Sequence, residues 1–103
     1  EFYLLDAKCD EKRRPQPPVS PATGKRAEAE QVLSLRKLDE FSPVLNDIVD
    51  YCRAQGIPAD AVSSEMGPAQ FEINLNHVPD ALSAADHAVM MKRVVSGAAA
   101  AHG

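Results

Sequence analysis

No apolar run in this chain approaches the roughly 18 residues of a membrane span, and no signal-peptide pattern is visible. A basic footprint for nucleic acid is also missing. The chain has 11 Lys and Arg against 15 Asp and Glu, a net charge of −4. Cysteine is scarce: Cys9 and Cys52 lie far apart, at neither a metal-ligand spacing nor that of a disulfide framework. There is no nucleophile elbow, no phosphate-binding glycine loop and no zinc spacing. The simplest expectation is a reduced, cytoplasmic protein with no nucleic-acid or membrane partner. What remains is ordinary in bulk. The 103 residues are 45% hydrophobic and 25% charged, enough for one small domain with one modest core.

The order of elements reads as α+β. Glu1 opens directly onto Phe2 to Leu5, an aromatic and aliphatic strand spanning about residues 1–6. Residues 8–31 change character: a charged stretch gives way to Pro15, Pro17, Pro18 and Pro21, then Gly24. That proline density forbids helix or central strand and predicts a long surface loop. The PxxP spacing of Pro15 and Pro18 also suits a proline-rich ligand for a partner domain. Leu38, Phe41, Leu45, Ile48 and Cys52 recur at helical steps, predicting a helix over about 38–55. Asp39 or Ser42 would cap it, Pro43 would sit in its first turn, and Gly56 and Pro58 would end it. Cys52 lies on the apolar stripe and reads as a small core residue. Two strands follow, about 60–66 and 70–77, and then a helix over about 79–101. Pro79 would be its first residue, and Leu82, Ala85, Val89, Val94 and Val95 its apolar side. Both ends of the chain look like cuts within a larger fold.

The stretch from Glu65 to Asn76 is the most informative. Phe71, Ile73 and Leu75 alternate with Gln70, Glu72, Asn74 and Asn76, so one strand face is apolar and the other is amide and carboxylate. That polar face suits the lining of a polar cavity. Gly67-Pro68 marks the turn before it. A turn centred on Pro68-Ala69 would set Glu65 directly opposite Glu72, where like charges repel unless a cation lies between them; another register would separate them. With Glu1 at the start of a third strand, three carboxylates share a sheet without thiolate or imidazole partners. Such a donor set favours a hard cation such as Mg²⁺ or Mn²⁺. The plain alternative is three solvated surface glutamates. His77, His87 and His102 are scattered and read as surface or packing residues.

Glu65-Met66-Gly67-Pro68-Ala69-Gln70-Phe71-Glu72 resembles the E-x-G-P-G/A-Q-x-E motif of glutamine synthetases. Glu1-Phe2-Tyr3-Leu4 looks like the end of that family's E-x-E-F-x-L strand. Ala85-Asp86-His87, Lys92-Arg93-Val94-Val95 and His102-Gly103 resemble the helix that follows the motif. Gln16 to Pro21 and Asp39 to Pro43 look most like the γ-glutamylpolyamine synthetase branch. The resemblance implies a partial glutamine-synthetase catalytic domain over residues 1–103, without the N-terminal domain and the rest of the catalytic domain. It implies an oligomeric, ATP-dependent ligase joining ammonia or a polyamine to the γ-carboxylate of glutamate. By motif, Glu1, Glu65 and Glu72 would hold Mg²⁺ or Mn²⁺, and Asp60 and His77 would lie near ATP. The first glutamate of the E-x-E pair would precede Glu1. The later histidine, glutamate and arginine motifs would follow Gly103, so the isolated chain is expected to be inactive. The rival expectation is a non-catalytic α+β interaction module whose Pro-rich loop binds a partner.

Overall fold

A computed structural model describes residues 1–29 and 32–103. Its elements run β1 (Phe2–Tyr3), α1 (Leu35–Glu40), α2 (Ser42–Ala54), β2 (Ala59–Ser64), β3 (Gln70–Leu75) and α3 (Ala81–His102). The strands form an antiparallel sheet in the order β1-β3-β2. The α+β reading holds, with several boundaries moved. β1 is shorter than residues 1–6. After Leu4 donates its N–H to Ala69 O at 3.0 Å, the chain leaves the sheet, and Asp6 pairs with Gln16 O in the loop instead.

The expected helix over 38–55 is two helices. Ser34 caps α1, its Oγ accepting from Lys37 N at 3.4 Å. The cap is therefore neither Asp39 nor Ser42. Pro43 has no N–H to give to Asp39 O and would crowd that carbonyl in a continuous helix. The ladder breaks at Phe41, and Asp39 O is satisfied by Phe41 N and by Ser42 Oγ at 2.9 Å. Pro43 then stands in the first turn of α2, where its missing donor costs nothing.

α3 begins one or two residues later than Pro79, because Asp80 is its cap. Asp80 Oδ2 accepts from Ser83 N at 2.7 Å. Its packing side is only part of the expected one: Val94 and Val95 meet the core, but Leu82, Ala85 and Val89 do not. At about 100° per residue, Leu82, Ala85 and Val89 lie on one side of the helix, while Met91, Val94 and Ala98 lie nearly opposite. The second group faces the core: Val94 and Ala98 are buried and Met91 packs against them. Leu82 and Val89 are each 71% exposed.

The core lies between the helices and the apolar face of the sheet. Phe71 is fully buried, with the Phe41 ring 5.5 Å away at 61° and the Phe2 ring at 6.2 Å. Ile48 and Cys52 of α2 are also sealed from solvent. The Cys52 thiol donates to Met91 Sδ at 3.3 Å, and burial pushes its pKa up. It is a core residue, as its place on the apolar stripe suggested.

Within the described residues, the Pro-rich segment is a loop with hydrogen bonds of its own. Asp10 Oδ1 accepts from the backbone N–H groups of Lys12 and Arg14. Ser20 N donates to Lys25 O, and a bridge joins Val19 to Arg26. The Arg26 guanidinium reaches Asp6 at 3.0 Å and Pro17 O. Pro18 and Pro21 line a small crevice with Leu4, Phe41 and Val44, so these prolines meet the protein's own body. Residues 30 and 31, the end of the expected loop, lie outside the described residues.

Candidate metal centre

The hairpin explains where the carboxylates fall. Gln70 N donates to Gly67 O at 3.1 Å, so the turn does centre on Pro68-Ala69. Ala69 accepts a positive φ of 51° there. The strands nevertheless pair in a register that makes a longer loop. Ser63 lies opposite Glu72 and Ser64 opposite Phe71, and Glu65 N donates to Gln70 O at 2.9 Å. Glu65 and Glu72 are therefore not directly opposed, which corrects the expectation for a two-residue hairpin. The register has moved by two residues. An even shift keeps side chains on the same face, so Glu65 becomes a diagonal neighbour of Glu72.

β1 completes the face. Phe2 lies opposite Phe71 and Tyr3 opposite Gln70. Continuing that register by one residue sets Glu1 opposite Glu72. One row across the sheet then reads Glu1, Glu72, Ser63, and the next reads Tyr3, Gln70, Glu65. Directly opposed positions are about 5 Å apart between Cβ atoms and diagonal ones about 7–8 Å. Gln70 sits between the acids: opposite Glu65, two residues from Glu72 and diagonal to Glu1.

In this structure the acids turn to neighbours. Glu1 Oε2 accepts from Gln70 Nε2 at 3.3 Å, and Glu65 Oε1 accepts from Ser63 Oγ at 3.3 Å. Among the described residues, no three His, Cys, Asp or Glu side chains converge closely enough to hold one ion. The donor set still suits a hard cation, since this face offers carboxylates without sulfur or imidazole. Glutamate side chains are long enough to swing between adjacent positions of a sheet without a change of backbone. Glu65 and Glu72 are half-buried, and Glu1 is exposed.

Surrounding contacts brace this end of the sheet. Ser64 Oγ donates to Ser34 O at 3.1 Å, and Leu33 N donates to Ser64 O at 2.8 Å, which ties the entrance of α1 to β2 beside Glu65. A narrow crevice joins Glu65, Gly67 and Gln70 to Glu28 and Lys37. Lys37 is buried, with its ammonium 3.1 Å from Glu40.

Asp60 and His77 belong to the other end of the hairpin. Ala59 pairs with Leu75, and Asn76 N donates to Pro58 O at 2.8 Å, so the segments carrying Asp60 and His77 run side by side there. Both residues are exposed. Asp60 lies five residue steps along the strand from Glu65, about 16 Å, so the structure does not join Asp60 and His77 to the carboxylates. His102 Nε2 is 2.7 Å from Asp47 Oδ2 and links the end of α3 to α2. His87 is half-buried, and its Nδ1 has no hydrogen-bond partner among the described residues.

Reading the chain one residue at a time missed the part played by Gln70 and Tyr3. The signal was the placement of Gln70 two residues before Glu72, on the same face. The amino-acid sequence, rather than the site geometry, matches a known class. The glutamine synthetase catalytic-domain model covers residues 1–103, and the chain belongs to that family. It is 46% identical over 95 residues to gamma-glutamylputrescine synthetase PuuA of Escherichia coli (strain K12), across 92% of this chain and 20% of that protein. It is 42% identical over 62 residues to glutamate–isopropylamine ligase of a Pseudomonas species, across 60% of this chain and 13% of that one. The chain thus spans about one fifth or less of the length of these relatives. No solved structure matches it. Among the described residues, no helix is long and apolar enough to cross a membrane.

Proposed function

We propose that this chain forms part of the metal-binding side of an ATP-dependent ligase that joins an amine to the γ-carboxylate of glutamate. ATP would phosphorylate that carboxylate, and the amine would displace phosphate from the resulting γ-glutamyl phosphate. The observation that supports this reading best is the strand register: continued by one residue past β1 and β2, it sets Glu1 and Glu65 on the same face as Glu72. These three carboxylates would hold Mg²⁺ or Mn²⁺. A bound divalent ion supplies charge neutralisation and orients the glutamate side of the reaction. The three acids supply anionic oxygen, and the sheet supplies fixed spacing beneath flexible side chains. Asp60 and His77, at the other end of the hairpin, are assigned towards the nucleotide.

The relatives' names carry putrescine and isopropylamine, which supports an organic amine rather than ammonia as acceptor. A cytoplasmic homo-oligomer belongs to the same reading. The apolar groove beside β1 suits a chain that packs against more of its own protein. It measures about 540 Å³ and includes Phe2, Ile73, Leu75, Met91 and Val95. We expect the 103 residues alone to release no phosphate from ATP in an amine-dependent way.

Manganese titration of the wild type against Glu72→Gln tests the centre. Loss of one of three carboxylates should weaken binding by at least about tenfold. Equal affinity in the two proteins would sink the carboxylate assignment.

A further inference from the structure

We propose that Gln70 is the positioning residue of this centre: its side-chain amide clamps the Glu1 carboxylate to the hairpin turn and presents it to the ion. The inference rests on the carboxylate reading above. Two hydrogen bonds define the clamp. Gln70 Oε1 accepts from Gly67 N at 2.9 Å, and Gln70 Nε2 donates to Glu1 Oε2 at 3.3 Å.

The first bond settles the second. An amide oxygen and nitrogen differ in what they can do: the oxygen only accepts and the nitrogen only donates. The Gly67 N–H demands an acceptor, so the oxygen must face the turn. The NH₂ group is then forced towards the acids. Gln70 consequently offers donors, never a lone pair, to a face that carries three carboxylates. It is also the one position that adjoins all three acids, by the register of β1, β2 and β3.

The turn is shaped to hold this side chain. A Cβ on Gly67 would stand 2.8 Å from Gln70 Oε1 and 2.7 Å from Tyr3 Cε1. Glycine at 67 thus lets the backbone N–H reach the amide with the Tyr3 ring alongside. A carboxylate held through one oxygen by an N–H keeps its other oxygen available, and fixing a ligand from outside the coordination sphere is worth about 10- to 100-fold in metal affinity.

The test is a double-mutant cycle on Mn²⁺ affinity in the full natural chain that carries these residues, with thermal melting of the metal-free proteins alongside. Gln70→Met is close in size and removes both hydrogen bonds. It should weaken Mn²⁺ binding about 10-fold in the wild-type background. In a Glu1→Gln background it should weaken binding less than about 2-fold further, because residues acting through one another are not additive. Weakening by the same factor in both backgrounds overturns the proposal and leaves only a structural role. So does unchanged affinity in Gln70→Met, when Glu1→Gln and Glu72→Gln both bind less. Affinity independent of Glu1 and Glu72 is a different failure, which removes the carboxylate reading and the proposal with it. If Gln70→Met does not fold, a Mn²⁺-soaked crystal of the unmutated protein decides. Gln70 Nε2 on the carboxylate of an ion-bound Glu1 supports the clamp, and an amide turned away from Glu1 rejects it.

Discussion

At the scale of single residues, the hairpin depends on Gly67. A methyl group there would meet the Tyr3 ring edge at 2.7 Å, the Tyr3 hydroxyl at 2.9 Å and the amide oxygen of Gln70 at 2.8 Å. Both are side chains, so the clash can be relieved, but only by moving the two groups that connect the turn to β1. Gly67→Ala is expected to cost about 1–3 kcal/mol, measured by urea denaturation, and to loosen β1. Amide hydrogen exchange at Leu4, whose N–H bonds to Ala69 O, should speed up with it. Unchanged stability and exchange would show that Tyr3 and Gln70 have room to move.

Elements differ in how they are held. α3 starts on a charged cap, and its pH response follows from that. The Ser83 hydroxyl, then the backbone N–H of Ser83, favours the ionised form of Asp80 and holds its carboxyl below the usual 3.8. A lowered folded-state value stabilises the fold above the unfolded value and loses that contribution as pH falls through the folded one. Melting temperature should therefore decline below about pH 3.8, and Asp80→Asn, which still caps, should flatten that part of the curve. An identical acid limb in Asp80→Asn would assign the decline to other carboxylates, Asp6 and Asp10 included, since backbone N–H donors lower both. The two sides of α3 and the heart of α2 give a second comparison. Ile48→Ala removes a fully buried side chain and should cost about 2–5 kcal/mol. Leu82→Ala, on the exposed side, should stay within about 0.5 kcal/mol in this chain. Chemical denaturation of the two variants checks the contrast; equal losses would mean that the Leu82 side of α3 is covered.

On the scale of the whole molecule, the fold is extended for its size. Its Cα radius of gyration is 14.2 Å, against about 13 Å for a compact domain of this length. The groove beside β1 and the exposed Leu82 and Val89 place apolar surface on the outside. β1 and β2 are both edge strands, and on β2 Leu33 N occupies the Ser64 carbonyl. The 103-residue chain should consequently self-associate as its concentration rises. Light scattering that reports only monomer at high concentration would count against this.

The sequence by itself determined the local pieces. Alternation placed β3 and its two faces, because strand side chains repeat every two residues whatever lies beyond them. Gly67-Pro68 located the turn, and the apolar stripe from Leu38 to Cys52 placed α2 and the second half of α1. Motif spacing was enough for the family. Tertiary structure decided everything that depends on which neighbours meet. Pro43 was legible as a first-turn residue, but the separate helix before it was not, because its cap depends on Ser64 of β2 lying near to hold Ser34 in place. α3 has apolar residues on opposite sides, and only the position of α2 selected the Val94 side. The hairpin register was equally hidden: the turn sits where it was expected, yet the strands pair two residues away from the simple count. The carboxylates remain on one face through that shift because it is even. What the register added was Gln70 among them, with its amide oriented by the backbone of the turn.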